Sequence, residues 1–294
     1  GLKFVLLDPN KLLKRNENMT NEIKTQSLQG RRAIVTGGGS GIGEGICLEL
    51  SLEGAIVAVV DYNEERIDKV IKKILPLGGR AVKICSDIGT SEACQQLINT
   101  AVDKLGGLDI LVNCASPGRD KSKVRNITDA DWDIHQNVVL NATAILSDAA
   151  SKHLKVSGQG AIVNISSVVA ARVGLDTTWS YQVSKAGLEH LTRWLAVRLG
   201  SEGIRVNAVS PGLVDRDEGF KHSDNLELMG LIKEAVPLGR PGRTKEISQA
   251  VAFLCSEKSS YITGQVLVVD GGVSVGESMS WAIKGFDNHK NKLL

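Results

Sequence analysis

Tyr181 and Lys185 stand at positions i and i+4 of a helical pattern that begins Tyr181-Gln182-Val183-Ser184-Lys185, so they share one helix face. A free phenol titrates at about pH 10 and is a poor base at neutral pH. An ammonium nearby favours the phenolate, which makes a tyrosine usable as an acid or base toward an alcohol or carbonyl oxygen. Ser167 ends the preceding strand candidate, and its hydroxyl can point into the same crevice and donate to the same oxygen. Taken alone, Tyr and Lys at this spacing more often mark a solvated helix face. Their weight comes from what accompanies them.

The first accompaniment is Thr36-Gly37-Gly38-Gly39-Ser40-Gly41-Ile42-Gly43, which lies between a strand candidate and a helix candidate. Glycines let backbone N–H groups approach a pyrophosphate, and the helix start adds its positive dipole. Gly37, Ser40, Gly41, Ile42 and Gly43 are therefore candidate phosphate-loop residues. The second strand candidate ends at Asp61, about 20 residues beyond the loop, as a ribose-binding carboxylate requires. Its charge would repel a 2′-phosphate, and the loop holds no basic residue, so NAD is expected over NADP. Arg66 reads as solvated. The third strand candidate is followed by Asp87 and Ile88. The Asp87 carboxylate suits two tasks equally, accepting from an adenine amino group or capping the helix that starts near Ser91.

Regular structure is needed to bring these residues together. Apolar runs of strand length occur at Ala33–Thr36, Ala55–Asp61, Ala81–Ser86, Leu108–Cys114, Ala161–Ser166, Arg205–Val209 and Val266–Asp270. Helical patterns separate them at Ile42–Leu52, Glu64–Leu77, Ser91–Leu105, Asp129–Lys155, Tyr181–Ser201, Leu226–Ala235 and Lys245–Cys255. This alternation predicts an α/β fold with a doubly wound parallel sheet in a single domain. The domain reads as residues 30–272, with an N-terminal extension at 1–29 and a tail at 273–294. Gly212–Ser223 is charged and without period, the kind of long irregular segment that is usually functional, and the stretch 212–229 is expected to form a lid over substrate.

Composition excludes several classes. The 294 residues are 42% hydrophobic, enough for one core, and the net charge of +2 with no long basic run leaves no nucleic-acid footprint. Five cysteines form no C-x-x-C and have no histidine at zinc spacing, so no metal site is expected. Cys85 and Cys114 fall in apolar runs and read as small core residues. Scattered thiols fit a reducing compartment, and no apolar stretch reaches the roughly 20 residues of a membrane span, so a cytoplasmic protein without a membrane partner is expected.

Taken together, several segments resemble the short-chain dehydrogenase/reductase family. They are Thr36–Gly43, Asn113-Cys114-Ala115-Ser116, Ile165-Ser166-Ser167, Tyr181–Lys185, Pro211-Gly212, and Tyr261-Ile262-Thr263-Gly264-Gln265 followed by Asp270-Gly271-Gly272. They come in the family's order and span about residues 30–272. The resemblance implies a seven-stranded Rossmann sheet, a Ser167–Tyr181–Lys185 catalytic group, and hydride exchange between NAD(H) and a secondary alcohol or carbonyl. It places Asn113, Ala115, Tyr181, Lys185, Pro211, Gly212 and Val214 among the cofactor contacts. It also implies a homotetramer or homodimer in which the helices 129–155 and 181–201 pack against their copies.

Three departures stand out. Val139 occupies the place of the family's usual fourth catalytic residue, an Asn; Asn137 and Asn141 lie about 200° away around a regular helix. Ser116 replaces a Gly. Arg216 replaces the Thr that often follows the Pro-Gly turn, which leaves nicotinamide contacts to backbone around Val214. The substrate walls read as Ser116–Val124, Val168–Ser180 and Gly212–Met229, carrying Arg119, Lys121, Arg172, Trp179, Arg216, Phe220, Lys221 and His222. A small-molecule substrate follows. The competing reading is a nucleotide-binding scaffold or sensor with weakened catalysis, which Val139 favours and the intact Ser167, Tyr181 and Lys185 oppose.

Overall fold

The computed structural model describes residues 26–117, 128–216 and 221–276. Arg119, Lys121 and Phe220 lie outside them, as do residues 1–25 of the extension and 277–294 of the tail. Seven parallel strands form one sheet: β1 (Arg32–Thr36), β2 (Ile56–Asp61), β3 (Arg80–Cys85), β4 (Ile110–Asn113), β5 (Ala161–Ile165), β6 (Arg205–Pro211) and a last strand, Val266–Val269. Their order is β3-β2-β1-β4-β5-β6 with the last strand at the far edge. Order reverses between β1 and β4, which opens a crevice at the strands' carboxyl ends.

Central strands are predominantly apolar because both faces are covered. On one face Ala33, Val35, Val57 and Val59 pack under α1 (Gly41–Leu52) and α2 (Glu64–Ile74). On the other, Ile34, Ala58 and Leu111 pack under α3 (Ser91–Leu105). Edge strand β3 escapes this rule: Cys85 is exposed, with Sγ 3.5 Å from the Tyr62 carbonyl, which corrects its reading as a core thiol. Cys114 is partly buried. Asp87 accepts from the Gly89 N–H, while Thr90 caps α3 by accepting from Ala93, so Asp87 is not the cap.

The long helix expected over 129–155 is three segments: α4 (Asp129–His135), a π-helical stretch over Gln136–Asn141, and α5 (Ala142–Ser157). α6 (Trp179–Gly200) packs against it. The region after β6 holds order that the sequence pattern hid. There β7 (Val214–Asp215) pairs in parallel with β8 (Gly242–Arg243). After α7 (Leu226–Ala235) and β8 comes α8 (Thr244–Cys255), then β9 (Val266–Val269), the last strand above.

Arg32 fastens β1 to β4. Its Nε and Nη2 donate to the two Asp109 oxygens at 2.7 and 2.9 Å, and Nη1 donates to the Gly106 carbonyl at 2.7 Å. Burial alone would raise the Asp109 carboxyl, but the hydrogen bonds and charge of Arg32 outweigh it and hold it below its ordinary range. A depressed carboxyl stabilises the fold above its unfolded-state pKa, and that stability is lost as pH falls through the folded-state value. Arg32→Ala should cost about 2 kcal/mol in urea unfolding at pH 7, and the gap to wild type should close in acid. A gap independent of pH would contradict this assignment.

Candidate active site

The glycine loop is shaped by contacts that a side chain would block. A Cβ on Gly37 would sit 2.8 Å from Ala115 Cα, and one on Gly39 would sit 2.8 Å from Asp61 Oδ2. A Cβ on Gly43 would overlap the Gly37 carbonyl. Gly37 and Gly41 take positive φ, +66° and +55°, where other residues are strained. Ser40, the N-cap of α1, makes no side-chain cap hydrogen bond, so the first-turn N–H groups are not satisfied by its hydroxyl. Thr36 Oγ1 accepts from the N–H groups of Cys114 and Ala115 at 3.1 and 3.2 Å, which ties the loop to the end of β4. A tight cradle at a helix start, with uncapped donors, fits the diphosphate of a dinucleotide.

Asp61 is buried at the end of β2. Its Oδ2 accepts from Gly39 N–H at 3.2 Å and its Oδ1 from Asn63 N–H at 3.0 Å. The carboxylate is thereby fixed against the loop and also holds the turn after β2. Arg66 is exposed; its Cβ abuts Gly39, and its guanidinium lies 5.7 Å from the Tyr62 ring centroid. Ile88 is buried beside the third strand's end.

Tyr181 and Lys185 lie on the first turns of α6 and are 7% and 3% exposed. Lys185 Nζ donates to the Ile165 carbonyl at 2.6 Å and stands 5.7 Å from the Tyr181 ring centroid. That bond anchors the ammonium at the carboxyl end of β5. Ser167 sits two residues beyond β5, as N-cap of a 3₁₀ turn over Val168–Ala170, rather than directly on the strand's last residue. The connection from there to α6 is fastened by Gln182, whose Nε2 donates to the Gly174 and Thr177 carbonyls and whose Oε1 accepts from Gly174. Burial pushes the Cys114 thiol up to about 11 against the opposing pull of Lys185.

Other expected contacts divide. Ala115 lines the loop, Pro211 ends β6, and Gly212 follows it with its N–H donating to the Val269 carbonyl at 3.1 Å. The Asn113 side chain turns inward: Nδ2 donates to Asn164 Oδ1 at 2.9 Å, and Asn164 in turn donates to Thr192, binding β4, β5 and α6 together. Val214 is held in β7.

Val139 is 1% exposed and lies within the π-helical stretch. The distortion does not turn an asparagine into its place, because Asn141 Nδ2 donates to Asn137 Oδ1 at 2.9 Å on the exposed side. What the sequence reading passed over is His135, one turn before Val139 on the same face. His135 is buried edge-on to Tyr181, with ring centroids 6.0 Å apart, and its Nδ1 donates to the Asp131 carbonyl at 2.7 Å. Its i, i+4 spacing to Val139 was the available signal.

Glycine cradle, fixed carboxylate and buried Tyr–Lys pair all lie at the carboxyl ends of one parallel sheet, which defines a dinucleotide-binding oxidoreductase class. The family described as enoyl-(acyl carrier protein) reductase matches residues 37–274. The 3-oxoacyl-(acyl-carrier-protein) reductase FabG of Thermotoga maritima is 34% identical over 248 residues, which is 84% of this chain and 99% of that one. The structure of a 7α-hydroxysteroid dehydrogenase complexed with NADH and 7-oxo glycochenodeoxycholic acid superposes with a TM-score of 0.78 at 33% identity, covering 84% and 96% of the two chains. A short-chain type dehydrogenase/reductase from Mycobacterium marinum gives 0.76 at 28% identity, covering 86% and 99%. The chain belongs to the short-chain dehydrogenase/reductase family. It is an oxidoreductase that exchanges a hydride between a nicotinamide dinucleotide and an alcohol or carbonyl substrate.

Proposed function

We propose that Tyr181 is the acid/base of this chain and that it acts on a secondary alcohol or the corresponding ketone. The observation that carries this reading is the buried Lys185 ammonium, pinned to the Ile165 carbonyl and 5.7 Å from the Tyr181 ring centroid. When bound, the nicotinamide supplies or accepts the hydride. The Tyr181 hydroxyl gives a proton to the substrate oxygen during reduction and takes it during oxidation. Ser167 donates to the same oxygen and orients it. The Lys185 charge stabilises the tyrosine oxygen when its proton is away. The cradle of Gly37, Ser40, Gly41, Ile42 and Gly43 holds the diphosphate, and Ala115, Pro211, Gly212 and Val214 border the nicotinamide side. The test is turnover over a panel of secondary alcohols and ketones, read by NADH absorbance. Tight cofactor binding without any turnover would favour the scaffold reading instead.

NAD is the preferred cofactor in this reading. Asp61 is a buried, fixed negative charge, and placing a 2′-phosphate against it costs about 2 kcal/mol or more. NADH should therefore bind about 30-fold tighter than NADPH in fluorescence titration, and Asp61→Ala should narrow the gap. Tighter NADPH binding would overturn the preference. The enzyme is placed in the cytoplasm, where its five unpaired cysteines would stay reduced. Its exposed Trp194 and Val197 on α6 suit a homotetramer or homodimer built on the α5–α6 face.

A further inference from the structure

The side chain of Arg216 crosses the first turn of α1. A Cβ built on Gly41, the first residue of that helix, would lie 3.5 Å from Arg216 Nε and 3.6 Å from its Cδ. The stem of the arginine therefore runs in van der Waals range over the point where the glycine loop becomes a helix. This placement is not visible from chain order, because 175 positions separate the two residues (216 minus 41).

Three links fix it. Arg216 directly follows β7, which is paired to β8, and the Gly242 N–H donates to the Leu213 carbonyl at 2.8 Å. Strand β8 runs without a break into α8. α8 packs tightly on α1, since a Cβ on Gly45 would sit 2.9 Å from Ser248 Oγ. The arm carrying Arg216 is thus registered to the same helix whose N-terminus it overlies. On its other side Asp215 accepts from the His222 N–H at 2.6 Å and faces His222 Nδ1 at 3.2 Å.

We propose that Arg216 is a diphosphate-binding residue, its guanidinium donating to the phosphate oxygens held at the start of α1. This rests on the reading of the glycine loop as the dinucleotide site. The uncapped N–H groups supply directional donors with partial charge. A guanidinium supplies a full charge and a planar fork of donors that matches paired phosphate oxygens. Arg66, the other arginine beside the loop, abuts Gly39 and lies over Tyr62, on the Asp61 side. The two arginines therefore stand at different parts of the loop, and Arg216 alone overlies the helix start. The threonine usual at this position in the family is neutral. Arg216 brings a positive charge to that position.

Wild type, Arg216→Ala and Arg216→Lys are compared by NADH fluorescence titration, with ADP-ribose and adenosine as competitors and thermal melting as a control for folding. Arg216→Ala should weaken NADH and ADP-ribose by the same factor, about 10-fold or more, and leave adenosine within about twofold. Arg216→Lys should recover part of the loss, and added salt should shrink the difference between wild type and Arg216→Ala. NADH affinity unchanged in Arg216→Ala would overturn the clamp while leaving the dinucleotide site intact. Equal weakening of adenosine would also overturn it, since the residue would then act through loop structure. A wild type that binds neither NADH nor NADPH would remove the dinucleotide reading and the clamp with it.

Discussion

Replacing Tyr181 by Phe should leave NADH affinity and thermal stability near wild type and lower turnover by about 10²–10⁴-fold, the usual worth of a positioned proton donor. The ring stays, so its edge contact with His135 and its place beside Lys185 are kept, and only the hydroxyl is lost. The loss should fall on kcat and kcat/KM together, because the proton moves only in the transition state. Unchanged turnover on a verified substrate would remove Tyr181 from the chemistry. The absence of an asparagine at position 139 sharpens this experiment. Val139 is sealed in the π-helical stretch, so the proton has no side-chain relay there, and the burden rests on Tyr181, Lys185 and Ser167.

The second large effect concerns the cradle. In Gly43→Ala the new methyl would overlap the Gly37 carbonyl and lie 3.2 Å from Gly38 Cα, and both obstacles are backbone. The loop must move away from α1 to admit it. NADH affinity should fall about 100-fold, the equivalent of about 3 kcal/mol of overpacking. Gly200→Ala is the matched control: nothing lies within 4 Å of a Cβ there, and it ends α6. That variant should bind NADH normally and melt no lower than wild type. Normal NADH binding by Gly43→Ala would show that the diphosphate is not held against this loop.

Much of this was legible because burial on both faces writes itself into sequence. Ile56–Val60 is apolar at every position and Ala161–Ile165 at all but Asn164, and their ends located Asp61 and the serines after β5. The helices α3 and α7 were bounded correctly, α3 by Thr90 and the left-handed Gly106 and α7 by Asn225. Features that depend on partners far along the chain were not legible. A two-residue strand such as Val214–Asp215 has no period of its own and exists through Gly242–Arg243. The π-helical stretch has no composition that marks it. Cys85 resembles a core residue until β3 proves to be an edge. Asp87 suited two tasks until Thr90 was seen to hold the cap. Arg216 illustrates the point for function: its type was noted as a departure, but its position over Gly41 depends on the β7–β8 pairing and on the packing of α8 against α1.

The central claim is that the Ser167, Tyr181 and Lys185 group supports direct hydride exchange in a chain that lacks the usual asparagine. The most direct measurement incubates the enzyme and NAD with a panel of secondary alcohols deuterated at the carbinol carbon, then weighs the NADH by mass spectrometry. The account predicts NADH carrying one deuterium from at least one alcohol, formed at a rate that Tyr181→Phe lowers about 10²–10⁴-fold. NAD bound at saturation with no deuterium transferred from any member, and no reduction of the matching ketones by NADH, would contradict it.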